Sequence, residues 1–136
     1  MDYKSFVTMM KFYANIPQIL KDLKEQREDI VYIFYGVHGV AFDRIPSSQN
    51  PGMDAIKREQ FDRKIKPLDM KIAYYEKMLE MVKNDADPIL AALPKEVRKM
   101  VHLKFIKGMT FYEIGDKLGY SYNAIYKKIK NEVEKL

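Results

Sequence analysis

Five side chains near the end of the chain are of the types that bind nucleic acid. They are Tyr122, Asn123, Tyr126, Lys127 and Lys130, and they share one predicted helix. Asparagine can bond bidentately to the edge of adenine, whereas tyrosine and lysine reach either base edges or phosphates. Ile125, Ile129 and Val133 define the buried face of this helix, so the five side chains are predicted to point outward. We therefore expect Asn123 and Tyr126 to contact bases, Lys127 and Lys130 to contact bases or phosphates, and Tyr122 to do either.

These side chains must be positioned by two short helices joined by a tight turn. Thr110 is a suitable cap for the first helix, Glu113 completes a capping box, and Gly119 ends the helix. Ser121 caps the second helix, which is predicted over residues 121–136. This order predicts a helix-turn-helix whose second helix lies in the major groove of double-stranded DNA. The hydroxyl of Thr110 and the amides after it could also hold a phosphate.

Four apolar residues are expected to fix the crossing of the two helices, with a glycine that allows their close approach. The apolar residues are Ile114, Leu118, Ile125 and Ile129, and the glycine is Gly115. A larger side chain at the glycine position would push the helices apart. Because a two-helix corner capped by Ser and Thr is also a common structural feature, the charge distribution has to support the DNA interpretation.

The basic residues are concentrated where the motif lies. Residues 94–136 hold ten Lys or Arg and five Asp or Glu, whereas residues 1–93 hold fourteen of each. The last 43 residues thus carry the whole net charge of +5, as attraction to phosphates requires. We expect some of these lysines to contact the DNA backbone and others to serve solubility only, and we expect Tyr120 to pack against the protein. The candidate backbone contacts are Lys104, Lys107, Lys117 and Lys128.

The first 36 residues are predicted to be helical. An apolar seam runs from Phe6 to Val37 at three- and four-residue spacing, and Pro17 interrupts it. Because proline removes an amide donor and clashes with the preceding turn, we expect a break or kink near Asn15. Residues 36–53 are rich in turn formers and are predicted to be a connector.

A second long helix is predicted after this connector. Asp54 can cap it, and a heptad seam follows from Phe61 to Val82. Pro67 lies inside the seam, so the helix is expected to kink or restart there. The simplest arrangement is an antiparallel hairpin with the N-terminal helices, although so regular a seam could equally serve a homodimer.

Another break is expected after Asn84, with Asp87 as cap and Pro88 at the first position of a short helix. The helix before the motif is predicted from Lys95 to Lys107. The predicted fold class is therefore all-α. A coiled-coil-like helical hairpin occupies residues 1–87 and provides oligomerisation or partner binding, and a helix-turn-helix bundle occupies residues 88–136.

Composition argues against several other classes of protein. A hydrophobic content of 47% supports a packed core. The chain has no Cys and only two His, so a thiolate metal site is excluded, and a structural role for His38 is favoured over a metal site. No apolar run is long enough to span a bilayer, and the N-terminus lacks the layout of a secretory signal. We expect a cytoplasmic protein with no enzymatic activity, no cofactor and no membrane partner.

Residues 93–136 resemble region 4 of the bacterial sigma-70 family. The pattern is Leu-Pro, a following Arg, an apolar helix, Gly before Thr, then Glu-Ile-Gly, Leu-Gly and Ser. The matching positions are Arg98, Gly108, Thr110, Glu113, Ile114, Gly115, Leu118, Gly119, Ser121, Ile125, Val133 and Leu136. The sequence departs from the pattern at Lys128, where an apolar residue is usual, and at Tyr122 and Asn123, where basic and acidic residues are usual. The resemblance implies a DNA-binding fold without carrying over a promoter sequence.

The layout of the whole chain is similar to that of small phage and prophage regulators of the ArpU-like and RinA-like kind. That resemblance implies a sequence-specific transcription regulator of phage late or packaging genes, with double-stranded DNA as its first expected partner and RNA polymerase as its second. Two alternatives stay open. Small terminase subunits also join a helix-turn-helix to oligomerising helices, and a helical adaptor for RNA polymerase would need only weak DNA binding.

Overall fold

The architecture is a series of helices, two of them long. The computed structural model describes residues 1–36 and 51–136, and these residues contain no strand. The all-α fold class is thus confirmed for the described part of the chain. The helices are α1 (Tyr3–Tyr35), α2 (Pro51–Ala92), α3 (Lys95–Val101), a π-helical segment (His102–Ile106), α4 (Phe111–Leu118) and α5 (Tyr122–Glu134).

The helix break predicted at Pro88 is wrong, and at Pro17 and Pro67, where a break or a kink was predicted, the helix does not break. Pro17 lies inside α1, and Pro67 and Pro88 lie inside α2, so that α1 and α2 run without a break for 33 and 42 residues. All three prolines are exposed. Each proline leaves one carbonyl of the preceding turn without its helical donor, while the apolar side of the helix keeps its packing.

Two further predictions about α2 need correction. The helix begins at Pro51, before the expected cap Asp54. Asp87 is not a cap but an interior residue, and its Oδ1 accepts a hydrogen bond from the Tyr13 hydroxyl at 3.5 Å. Residues 37–50 of the predicted connector, which include His38, lie outside the described residues.

The described residues form two compact units. The helix-turn-helix unit comprises residues 1–17 and 78–136, and the hairpin unit comprises residues 18–77. The helix-turn-helix unit is larger than the predicted segment 88–136, because the first turns of α1 and the last turns of α2 pack into it. This addition brings residues from the start of the chain to the candidate site.

The core of the helix-turn-helix unit is built from every helix of that unit. Its fully buried members include Phe6 and Met10 of α1, Met100 of α3, Ile114 of α4 and Ile129 of α5. The complete buried cluster is Phe6, Met10, Leu93, Val97, Met100, Val101, Leu103, Ile114, Ile125, Ile129 and Val133. Burying these side chains stabilises the arrangement of α4 and α5, since each removes apolar surface from water.

The hairpin unit has a smaller buried cluster. Phe61 and Ile65 of α2 pack against Val31 of α1, and the Phe61 ring also lies edge-on to Phe34 and Tyr35. These α2 residues belong to the predicted heptad seam. The seam is therefore buried, at least in this part, within a single chain.

Two ion pairs show how the helices of the hairpin unit run. Arg27 lies 2.6 Å from Asp69, and Lys24 lies 3.3 Å from Glu76. Earlier residues of α1 thus meet later residues of α2, so the two helices are antiparallel. The predicted intramolecular hairpin is confirmed, while a homodimer through the seam stays a prediction.

None of the helices within residues 1–36 and 51–136 combines the length and the apolar character needed to cross a membrane.

Candidate nucleic-acid interface

Helix α4 begins at the predicted cap. Thr110 has extended backbone angles, and its hydroxyl oxygen accepts a hydrogen bond from the Glu113 amide at 3.1 Å. The same hydroxyl donates to the Glu113 carboxylate at 3.2 Å, whereas a complete capping box would place that carboxylate on the Thr110 amide. Because the hydroxyl already both donates and accepts, a phosphate at this end would be held by the first-turn amides.

The turn between the two helices depends on both glycines. Gly119 has a φ of +81°, and the amides of Gly119 and Tyr120 donate to the Gly115 carbonyl at 2.7 and 2.9 Å. A Cβ atom at Gly115 would overlap the Tyr120 carbonyl oxygen and lie 3.3 Å from its carbon. The need for glycine at this position is confirmed, and the group that requires it is the backbone of the turn.

Helix α5 begins after Ser121, whose hydroxyl accepts a hydrogen bond from the Ala124 amide at 3.2 Å. Both predicted caps are thus confirmed as caps. The Tyr122 and Asn123 amides, which follow in the first turn, have no acceptor within the helix and point out of its N-terminal end.

The inner face of α5 is anchored by three side chains with no exposed surface, Ile125, Ile129 and Val133. On the opposite side lie Asn123 and Lys127, both exposed as predicted. They are one turn apart and can reach the same ligand. Lys130 also lies on the outer side, but it is only half-exposed.

Of the two tyrosines of α5, both predicted to point outward, Tyr122 is exposed and Tyr126 is not. Tyr126 is half-buried, with its ring edge-on to Phe111 at 6.0 Å between centroids. Tyr122 lies edge-on to the same Phe111 ring at 5.4 Å and is stacked on Tyr112 at 4.6 Å. Tyr122 remains 40% exposed, but both rings pack on α4, and this packing sets the position of both hydroxyls.

An unpredicted residue, Tyr3 of α1, also contributes to this surface. Its ring is edge-on to Tyr126 at 5.4 Å. Burial raises the pKa of Tyr3, and the nearby Tyr126 and Tyr122 raise it further, so its hydroxyl stays protonated at neutral pH. No local sequence signal places the third residue of the chain beside the recognition helix, because only packing over the whole unit does so.

The four candidate backbone lysines divide into two groups. Lys107 and Lys117 are exposed. Lys104 instead lies over the Phe111 ring, with its Nζ 4.6 Å from the centroid, and Lys128 lies over Tyr120 at 4.4 Å. The first group is available to phosphates without rearrangement, whereas the second already packs on aromatic rings.

Lys128 and Tyr120 form a polar cluster with Glu96 of α3. The Tyr120 hydroxyl donates to Glu96, and Lys128 lies 3.5 Å from the same carboxylate oxygen. The hydrogen bond from Tyr120, followed by the charge of Lys128, lowers the pKa of Glu96, and the hydrogen bond to Tyr120 is the main cause of the raised pKa of Lys128. These contacts tie α3 to α5, so Tyr120 packs against the protein as predicted.

The described part of the chain offers no group of three or more His, Asp or Glu side chains that could hold a metal ion. Comparison with models of protein families, with curated proteins and with solved structures finds no match to this chain.

Proposed function

We propose that this protein is a sequence-specific regulator of transcription that inserts α5 into the major groove of double-stranded DNA, of the kind that phages and prophages encode. The observation that carries the proposal is the pair of capped helices around Gly119, with Asn123 and Lys127 on the outer face of the second helix. A helix presented in this way fits the width of the major groove.

The roles of the side chains follow from their positions. Asn123 lies in the first turn of α5, where a recognition helix approaches base edges, and its amide can pair bidentately with adenine. Lys127, one turn later, can reach a base or a phosphate. Lys130 is half-buried beside Tyr126, with its Nζ 5.9 Å from the ring centroid, and this position favours a phosphate contact.

Charge supports the same interface. The excess of five positive charges lies entirely within residues 94–136, which include α3, α4 and α5. The rest of the chain is neutral and adds no general attraction to phosphates. We assign it to contacts with a protein partner, either RNA polymerase or a second copy of the chain.

Selection of bound duplexes from a random DNA pool at near-physiological salt tests the proposal. We expect one motif to be enriched. Asn123→Ala should weaken the selected site by about 1–3 kcal/mol and relax the preference at one base pair. Asn84→Ala, which removes an exposed asparagine from α2, is the matched control and should leave binding unchanged.

Lys127→Ala tests the electrostatic contribution to DNA affinity separately. It should weaken cognate and unrelated duplexes alike and reduce the slope of log affinity against log salt by about one. Lys77→Ala, which removes an exposed lysine of α2 from the hairpin unit, is its control.

Absence of an enriched motif, with binding that disappears as salt rises, would contradict the proposal and leave phosphate attraction alone. Ring-shaped oligomers in solution would then favour DNA packaging. Binding to RNA polymerase without a DNA motif would favour the adaptor.

A further inference from the structure

Four tyrosine hydroxyls at the helix-turn-helix have no hydrogen-bond partner among the described residues. They belong to Tyr3, Tyr112, Tyr122 and Tyr126, which we call the tyrosine strip. Two other tyrosines of the same unit behave differently, since the Tyr13 hydroxyl donates to Asp87 and the Tyr120 hydroxyl donates to Glu96. No buried side-chain oxygen of the described residues lacks a partner, so these four hydroxyls reach solvent and can donate a hydrogen bond to a ligand.

The tyrosine strip is continuous. Tyr112 stacks on Tyr122, both α5 tyrosines lie edge-on to Phe111, and Tyr126 lies edge-on to Tyr3. The rings therefore run from the N-terminal end of α4 across the start of α5 to the start of α1. Contacts between aromatic rings hold each of them in place, so little side-chain entropy remains to be lost when a ligand binds.

Two lysines lie directly over rings of the strip or of its Phe111 neighbour, whereas the nearest carboxylates already accept hydrogen bonds from other residues. Lys104 lies over the Phe111 ring and Lys130 over the Tyr126 ring. The carboxylates nearest along the chain, Asp2 and Glu113, accept hydrogen bonds from the Ser5 and Thr110 hydroxyls of their own helix ends, at 3.3 and 3.2 Å. Protonated phenols between two lysines can donate to an anion, and a DNA phosphate is the anion available beside a recognition helix.

We propose that the tyrosine strip, flanked by Lys104 and Lys130, binds the phosphate backbone beside the groove that α5 enters. The proposal rests on the DNA-binding function proposed above and adds Tyr3 and Tyr112 to the interface. It also assigns Tyr126 to the backbone rather than to a base edge.

Packing explains why the strip suits phosphates better than bases. Tyr126 is half-buried against Phe111 and Tyr3, and one face of Tyr122 is covered by Tyr112. Neither ring can swing into the groove without losing these contacts. A hydroxyl at a fixed position can still donate a hydrogen bond to a phosphate oxygen, and such contacts set the register of a protein on DNA.

Tyrosine-to-phenylalanine substitutions test the strip, because each removes a hydroxyl and keeps the ring contacts. Tyr3→Phe, Tyr112→Phe, Tyr122→Phe and Tyr126→Phe should each weaken DNA binding by about three- to tenfold, the effect of one lost hydrogen bond. The loss should be equal for the selected duplex and for unrelated duplexes. Tyr74→Phe, at an exposed position of the hairpin unit, is the matched control and should bind as the parent does.

The salt dependence of DNA binding distinguishes the contribution of the tyrosine hydroxyls from that of the lysines. A phenol neutralises no phosphate charge and releases no counterion, so the salt slope of the Phe variants should equal that of the parent. Lys127→Ala should instead flatten the slope. Thermal unfolding of each variant, unchanged from the parent, would show that the loss arises at the interface.

The outcomes distinguish this proposal from the one on which it rests. If the parent binds no DNA, both fail. If the parent selects a motif and all four Phe variants bind as tightly as the parent, only the tyrosine strip fails. A change of preference at one base pair in Tyr126→Phe would show that this hydroxyl reads a base, and would overturn its assignment to the backbone.

Discussion

The helix-turn-helix unit and the hairpin unit are both helical, but they bury their side chains to different extents. The first has a continuous cluster of eleven buried residues from α1, α3, α4, α5 and the segments between them, with Ile89 and Leu90 of α2 packed against it. Among the residues that the structure describes, the second has a cluster of three, with further support from ion pairs on its surface. Large side chains such as Ile33 and Met70 of the hairpin unit are 75% and 72% exposed. The comparison indicates that packing energy is concentrated around the candidate site.

Matched core truncations test this comparison most strongly. Ile125→Ala should destabilise the protein by about 4 kcal/mol, because Ile125 is fully buried among neighbours that cannot collapse into the space left. Ile65→Ala in the hairpin unit should cost about 2 kcal/mol, since its smaller cluster can relax or admit water. Urea denaturation followed by circular dichroism measures both.

Ile56→Ala is the control for these truncations, because Ile56 is 53% exposed and should lose little stability. Equal losses for the two buried isoleucines would show that the hairpin unit is packed as tightly as the helix-turn-helix unit. Our comparison would then be wrong.

A second prediction concerns the turn that sets α4 against α5. Gly115→Ala should cost about 3 kcal/mol, because the new methyl group meets the backbone carbonyl of Tyr120, which cannot move without displacing the start of α5. Gly119→Asn is the control. Asparagine tolerates the left-handed conformation, and the space around Gly119 is open, so this variant should lose less than about 1 kcal/mol.

DNA affinity should fall with stability in the Gly115 variant, since α5 would be displaced. A Gly115→Ala protein that keeps both the parent melting temperature and the parent affinity would show that the turn is not the constraint we describe.

The features of the helix-turn-helix unit that could be predicted from sequence are those that act over a few residues. The Thr110 and Ser121 hydroxyls bond amides three residues ahead, and Gly119 satisfies a local requirement for positive φ. Local signals of this kind depend little on the rest of the chain. The outward positions of Asn123 and Lys127 followed from the spacing of the buried isoleucines of the same helix.

The helix breaks expected at Pro17 and Pro88 show that a local signal can also fail when packing opposes it. The local preference of proline argued for helix ends, but packing on the apolar side of α1 and α2 outweighs one missing hydrogen bond on the exposed side. The contact between Tyr3 and Tyr126 joins positions far apart in the chain, and neither residue carries a local signal for the other. Periodicity predicted that Tyr126 points outward, and it could not predict that the Tyr3 ring packs against it.

The smallest expected effect concerns the polar cluster of Glu96, Tyr120 and Lys128, and it depends on pH. The pKa of Glu96 is lowered below its ordinary value of 4.5, first by the hydrogen bond from Tyr120. The charged carboxylate therefore contributes stability above about pH 4.5, and the contribution is lost as the pH falls through the lower folded value. Lys128, whose pKa is raised, contributes below about pH 10.5 and loses its contribution as the pH rises through the folded value.

Glu96→Gln should consequently reduce the loss of stability on acidification. Between about pH 5 and pH 3 the urea midpoint of the parent should fall further than that of the variant, since glutamine can still accept the Tyr120 hydrogen bond but does not titrate. Glu80→Gln removes an exposed carboxylate from α2, away from Tyr120 and Lys128, and serves as the control. If parent and Glu96→Gln lose stability in parallel over this range, the cluster does not link α3 to α5 through charge. The polar cluster would then add no pH-dependent stability to the helix-turn-helix unit, and the difference between the two units would have to be sought in how much side-chain surface each buries.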